Sequence, residues 1–136
     1  MTMRSVKVSD YMTRKLVTFT PEMPFYEAMG IMLDARVSGG PVVDEQGNLI
    51  GVLSEIDFLE ALTKGSYYGE VEGTVGETMT RGAQFVTADT DIFAVSEMFV
   101  AQRRRRLPVL HEGRLVGQIS RRDVLKAVRE LTKKRV

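Results

Sequence analysis

The sequence predicts an α+β fold: two copies of one β-α-β-β-α unit, packed sheet to sheet about a pseudo-two-fold axis. Three observations carry that expectation. First, the chain matches itself: Val8, Met12, Thr13, Thr20, Phe25, Pro41 and Val42 return 67 residues later as Val75, Met79, Thr80, Thr87, Ile92, Pro108 and Val109. A self-match this long makes half the chain the unit of folding. Second, the turn Asp44-Glu45-Gln46-Gly47 is one residue longer than its counterpart His111-Glu112-Gly113, and beyond it residues 49–57 match 115–123 at a shift of 66. Third, each copy alternates strand-like and helix-like segments and cannot cover its own sheet, so the two must bury each other.

The elements follow from local pattern. Residues 16–19 read as a short strand that Pro21 ends. Pro24 suits a first helical turn, and Ala28, Ile31, Met32 and Ala35 recur at helical spacing, which predicts a helix over 24–35. Ser38-Gly39-Gly40 stops it. Pro41-Val42-Val43 is a buried strand, residues 44–48 a glycine-containing hairpin turn, and residues 49–53 the partner strand. Ser54 then opens a second helix bearing Ile56, Phe58, Leu59 and Leu62, as an N-cap with Asp57 completing a capping-box-like pair. The second copy repeats the scheme, with strands at 84–87, 107–110 and 115–119 and helices at 91–102 and 121–131. The copies run from 6–63 and 74–131, and residues 64–73, with four Gly or Ser, form the linker.

Composition narrows the function classes. At 136 residues the halves should share one domain's core. A net charge of +1 argues for a soluble globular protein over a general nucleic-acid or membrane polycation. The chain has no cysteine, which excludes disulfides, thiolate catalysis and Cys-based metal sites. No apolar run reaches the ~18 residues of a membrane span, and residues 1–10 lack a signal peptide's apolar core. A cytoplasmic location without membrane attachment is expected. His111 is the single histidine and falls in a turn, so it reads as an exposed polar residue and no metal site is expected. Without a thiol, a second histidine or a phosphate-cradling loop, the chain does not read as an enzyme.

Two fragments are more specific. One is Arg36-Val37-Ser38-Gly39-Gly40-Pro41-Val42-Val43-Asp44; the other is Gly-hydrophobic-x-Ser-x-x-Asp, present as Gly51–Asp57 and again as Gly117–Asp123, with Gln118 at the hydrophobic position. In register inside a strand-strand-helix repeat, they make the chain, over about residues 6–127, resemble a tandem pair of CBS domains, or Bateman module. The resemblance implies a stand-alone sensor for adenosine-containing ligands (AMP, ADP, ATP, less readily S-adenosylmethionine or NADH) that reports occupancy to a partner protein. It also implies a homodimer paired through helices, for which Ile31/Met32/Ala35 and Met98/Ala101 are candidate faces, although the same residues could serve the internal core. Each ligand cleft would be shared between copies. One would join Ser120 and Asp123 to Val17, Thr18, Val37 and Ser38; the other would join Ser54 and Asp57 to Phe85, Val86, Arg105 and Arg106.

The residue types suit a nucleotide. An ionised aspartate is acceptor-only, so Asp57 or Asp123 can take both hydroxyls of a ribose cis-diol. A serine at a helix start adds a hydroxyl beside unpaired backbone amides, a natural anion site. Phosphates need cations, and here the copies differ: Arg121 and Arg122 stand where Glu55 and Ile56 do, and Arg103–Arg106 precede Pro108. Both clefts therefore have arginines within reach. Val37-Ser38-Gly39 leaves room for a base, whereas Phe85 replaces Thr18 and either stacks on a base or plugs the slot. Plainer readings stand beside these. Ser54/Asp57 and Ser120/Asp123 can be helix caps alone, and the arginine run a solvated helix end or an RNA-binding patch.

Overall fold

The computed structural model describes residues 5–64 and 73–133. Most of the expected linker, residues 65–72, lies outside the described residues. The chain divides into two compact units, one made of Val17–Ala83 and the other of the chain up to Leu16 together with Gln84 onward.

In the Val17–Ala83 unit, helix α1 (Phe25–Ala35) leads to strands β1 (Gly39–Val43) and β2 (Leu49–Ser54), then helices α2 (Glu55–Lys64) and α3 (Val75–Thr78). The other unit has a 3-10 turn at Val8–Asp10, then β3 (Val86–Thr87), α4 (Ile92–Gln102), β4 (Arg106–His111), β5 (Arg114–Ser120) and α5 (Arg121–Thr132). The hairpins β1–β2 and β4–β5 are antiparallel in matching register, with Gly39 opposite Ser54 and Arg106 opposite Ser120. Pro24 and Asp91 are the N-caps, so each of these helices begins one residue later than the spacing predicts, at Phe25 and Ile92.

The strand expected at residues 16–19 is shorter than its counterpart. β3 pairs parallel with β4 through Val86 and Thr87, whereas the first copy keeps a single parallel bridge, Phe19 to Val42. Proline chemistry explains the difference. In the second copy the Ala88 amide donates to the Leu110 carbonyl at 2.9 Å. Pro21 occupies the equivalent position and has no N–H to donate, so the ladder stops a rung earlier.

The segment that opens each copy is built into the unit that contains the other copy's hairpin. Val8 N donates to Thr90 O, Ser9 N to Ala88 O, and Thr13 and Gln118 exchange both backbone bonds at 2.8 and 2.9 Å. In the Val17–Ala83 unit the same bonds recur: Val75 N to Met23 O, Gly76 N to Pro21 O, and a mutual Thr80–Val52 pair at 2.9 and 3.0 Å. This crossing segment explains the glycine of the repeated motif. A Cβ on Gly117 would lie 2.6 Å from the Met12 sulfur and 2.9 Å from the Thr13 carbonyl oxygen. On Gly51 the distances to Met79 and Thr80 would be 2.7 and 2.8 Å.

Each unit has its own core. One gathers Phe19, Phe25, Ala28, Met32, Val42, Leu53 and Phe58 around Val75 and Met79. The other sets Val86, Ile92, Val95, Phe99, Val109, Ile119 and Val124 around Val8. Volume is traded between equivalent positions: Phe19, Ala28 and Phe58 in one core answer Val86, Val95 and Val124 in the other, the kind of swap a packed interior tolerates. The helical faces differ from expectation at one point. Met32 is buried in its core and Ile31 and Met98 are partly buried, so the large exposed apolar side chains are instead Tyr26, Leu33, Ile56, Leu59, Phe93, Val100 and Leu125, with Phe85 on a loop.

Candidate functional site

The two Ser-x-x-Asp starts are capped alike but not equally. At α5 the Ser120 hydroxyl accepts from the Asp123 amide at 3.1 Å, and Asp123 Oδ2 accepts from the Ser120 amide at 2.9 Å, a complete capping box. At α2 the Ser54 hydroxyl accepts from the Asp57 amide at 3.3 Å. Asp57 Oδ2 accepts from the Ser54 amide at 2.9 Å and from its hydroxyl at 3.0 Å. The other oxygen, Asp57 Oδ1, takes the Thr80 hydroxyl at 2.9 Å. Asp57 is thereby buried at 7% exposure with both oxygens engaged. Asp123 is half-buried, and among the described residues its Oδ1 accepts no hydrogen bond. Thr13, the counterpart of Thr80, makes the same backbone bonds but brings no hydroxyl to the carboxylate. The sequence shows Thr13 and Thr80 as a matched pair, yet nothing in it says that only one hydroxyl turns to its aspartate.

Cations gather beside the Ser120 start. The Arg105 carbonyl accepts from the Arg121 amide at 3.1 Å, the Arg104 carbonyl accepts from Arg121 Nε, and Arg106 pairs with Ser120 across β4–β5. Arg105, Arg121 and Arg122 are exposed and Arg106 is half-buried. The structure thus brings Ser120, Asp123, Arg105, Arg106, Arg121 and Arg122 into one unit. In the other unit the Ser38 carbonyl accepts from the Glu55 amide at 3.1 Å, which sets Ser38 beside Ser54 and Asp57. Each loop before the proline is hydrogen-bonded to its own copy's helix start. Val17 and Val37 pack partly buried on the Phe19 core, and Thr18 is half-buried. Val86 is buried in the Val8 core, while Phe85 is about half exposed.

Both helices that precede these loops end on an arginine in the left-handed region, Arg36 at φ 56° and Arg103 at φ 53°. An L-residue there costs roughly 1–2 kcal/mol, and glycine usually takes the place. Arg103 also lines a groove of about 680 Å³ between α4 and α5, together with Arg105, Arg121, Phe99, Val100, Val124 and Leu125. Among the described residues no cluster of His, Cys, Asp and Glu could hold a metal ion, and no helix is long and apolar enough to cross a membrane.

A capped serine–aspartate helix start, repeated behind a glycine that a distant segment crosses, can be compared with known proteins. A sequence model of the CBS domain matches residues 8–64 and 75–130. The chain belongs to the CBS-domain family. It is 28% identical over 152 residues to the chloroplastic CBS domain-containing protein CBSX1 of Arabidopsis thaliana, with 91% of this chain aligned, and it spans 64% of that protein's length. Its fold is similar to that of CBSX2 from the same plant, crystallised in complex with AMP, at a TM-score of 0.81 and 27% identity. That similarity covers 94% of this CBS pair and 99% of the CBSX2 chain. The inosine-5'-monophosphate dehydrogenase of Methanocaldococcus jannaschii is 30% identical over 123 residues, which make up 88% of this chain but 23% of the enzyme. A CBS pair therefore occurs both as nearly a whole solved chain and as a fraction of an enzyme.

Proposed function

We propose that this CBS pair is a non-catalytic regulatory sensor of the cytoplasm that binds an adenosine phosphate at the Ser120–Asp123 helix start and passes occupancy to a partner protein. One observation carries the choice of site: Asp123 caps its helix with one oxygen and keeps the other available, whereas both oxygens of Asp57 are engaged. A carboxylate oxygen with open lone pairs can accept from a ribose hydroxyl. Arg121 and Arg122 beside it favour a phosphate-bearing ligand over the sulfonium cation of S-adenosylmethionine. Charge-assisted bonds from guanidinium to phosphate contribute about 1.5–3 kcal/mol each. The AMP complex of CBSX2 supports the adenosine class. Signalling then requires that the ligand bind one arrangement of the protein better than another. The chain is further read as a homodimer assembled through its helices, whose exposed apolar side chains are left unburied within each unit.

The test is calorimetry on the full chain with AMP, ADP, ATP, S-adenosylmethionine and NADH. We expect micromolar binding of an adenosine phosphate, about −7 to −9 kcal/mol. Asp123→Ala and the use of 2′-deoxy-AMP should each weaken it about tenfold or more, the loss of roughly one charge-assisted hydrogen bond. Unchanged affinity in folded Asp123→Ala would refute the site. Salt-sensitive binding of single-stranded RNA that AMP does not displace would refute the function, and point to the arginine run as a nucleic-acid patch.

A further inference from the structure

Equivalent helix positions in the two copies are exposed and apolar together, yet opposite in charge around that apolar centre. Leu33 and Val100 are 66% and 80% exposed, and Leu59 and Leu125 are 56% and 69% exposed. Each pair occupies one repeat position, so the same spot is left uncovered twice. Around it the charges invert. Glu55 and Glu60 on α2 stand where Arg121 and Lys126 stand on α5, and all four are exposed. Asp34 on α1 answers Ala101 on α4, and Thr63 on α2 answers Arg129 on α5. Leu125 lies among Arg122, Lys126 and Arg129 on one side and lines the Arg103–Arg105–Arg121 groove on the other. Arg36 and Lys64 on the first pair and Glu97 and Glu130 on the second run the other way, but the balance leaves one helix pair an apolar patch with a mainly acidic rim and the other an apolar patch with a mainly basic one.

We infer that two copies of this chain associate through unlike faces, the acidic α1/α2 face of one against the basic α4/α5 face of the other. This rests on the homodimer reading given above and adds its orientation. An apolar centre ringed by polar groups is the ordinary anatomy of a protein interface. Pairing like faces would set Glu55 and Glu60 against their own copies and Arg121 and Lys126 against theirs. Such juxtaposition is what selects against a wrong orientation. Pairing unlike faces sets every one of these groups against the opposite sign while burying the same leucines and valine.

Two charge-reversed chains test this by sedimentation velocity. Asp34→Lys/Glu60→Lys turns the α1/α2 rim basic, and Arg122→Glu/Lys126→Glu/Arg129→Glu replaces the three cations around Leu125 with carboxylates. Wild type should self-associate, more weakly as salt rises. Each variant alone should lose at least tenfold in association, and an equimolar mixture should recover it as heterodimer. Recovery on mixing also proves that both variants fold. Wild type that stays monomeric at every concentration would overturn the homodimer reading and this inference with it. Wild type and both variants associating equally when each is alone would overturn the orientation alone. Leu33→Asp or Leu125→Asp leaving association intact would overturn the placement on these helices.

Discussion

Replacing Asp57 and Asp123 in turn by alanine separates what the fold asks of each aspartate. At either position the substitution removes the capping bond to the serine amide, worth about 1 kcal/mol at a helix N-terminus. At Asp57 it removes more, because Asp57 Oδ1 also holds the Thr80 hydroxyl and Oδ2 the Ser54 hydroxyl. A bond to an ionised carboxylate contributes about 1.5–3 kcal/mol, and because Thr80 is itself solvent-exposed the net loss falls to about 1 kcal/mol. Asp57→Ala should therefore cost about 2 kcal/mol and Asp123→Ala about 1. With a urea slope of ~1–3 kcal/mol per molar, the two midpoints should lie roughly 0.5 M apart. A double-mutant cycle sharpens the test. Asp57→Ala with Thr80→Val should show a coupling of about 1 kcal/mol, and Asp123→Ala with Thr13→Val none. Equal losses at the two aspartates, or equal couplings, would refute the asymmetry on which the choice of binding site stands.

Three other outcomes follow from the same geometry. Gly117→Ala should destabilise by about 1–3 kcal/mol in denaturant melts, since its Cβ would press on the Thr13 carbonyl and force the crossing segment off β5. Arg36→Gly and Arg103→Gly should each stabilise by up to about 1 kcal/mol by relieving left-handed backbone; a loss at either would mean that its side chain makes a contact worth more than the strain. The third concerns Asp44, whose carboxyl is held below its ordinary 3.8 chiefly by the Asn48 backbone amide, with the Asn48 side chain and the Gln46 amide adding to it. Its contribution is present above the unfolded pKa and is lost as pH falls through the lower folded value. The stability difference between wild type and Asp44→Ala should therefore persist at neutral pH and vanish in acid titration below the usual carboxylate range.

The repeat made the architecture legible, because every element of one copy has a partner to check it against. Helix ends, the hairpin register and the two capping boxes all follow from local pattern. What pattern could not show is where the opening segment of each copy goes. Val8 and Val75 are apolar residues in short turns, and only the bonds to Thr90 and Met23 place them against the loop that precedes α4 or α1 of the other copy. The same holds for the motif glycines, whose need for a bare Cα comes from a segment distant in sequence. Exposure of Leu33 and Val100 also escaped the periodicity, since Ile31, Met32 and Ala35 fit a helical stripe equally well until Met32 is seen in the core. Pro21 is the opposite case: its missing N–H was readable, and it sets the strand's length.

Duplication gives each half an internal control, and the differences are what carry function. Where both copies keep a feature, such as the glycine beneath a crossing segment or the serine cap, the fold accounts for it without a ligand. Where only one copy satisfies its groups internally, the other holds chemistry in reserve. Thr80 satisfies Asp57 and closes that helix start, whereas Asp123 keeps an oxygen on a helix start whose own residues and facing loop carry Arg105, Arg106, Arg121 and Arg122. An anion at that helix start would meet positive groups on α5 and on the loop before β4 together with the helix dipole, a combination the Glu55 start cannot offer. At equivalent positions α5 is basic where α2 is acidic. A single divergence between the copies thus underlies both the nucleotide site proposed at α5 and the pairing of unlike faces proposed for two chains.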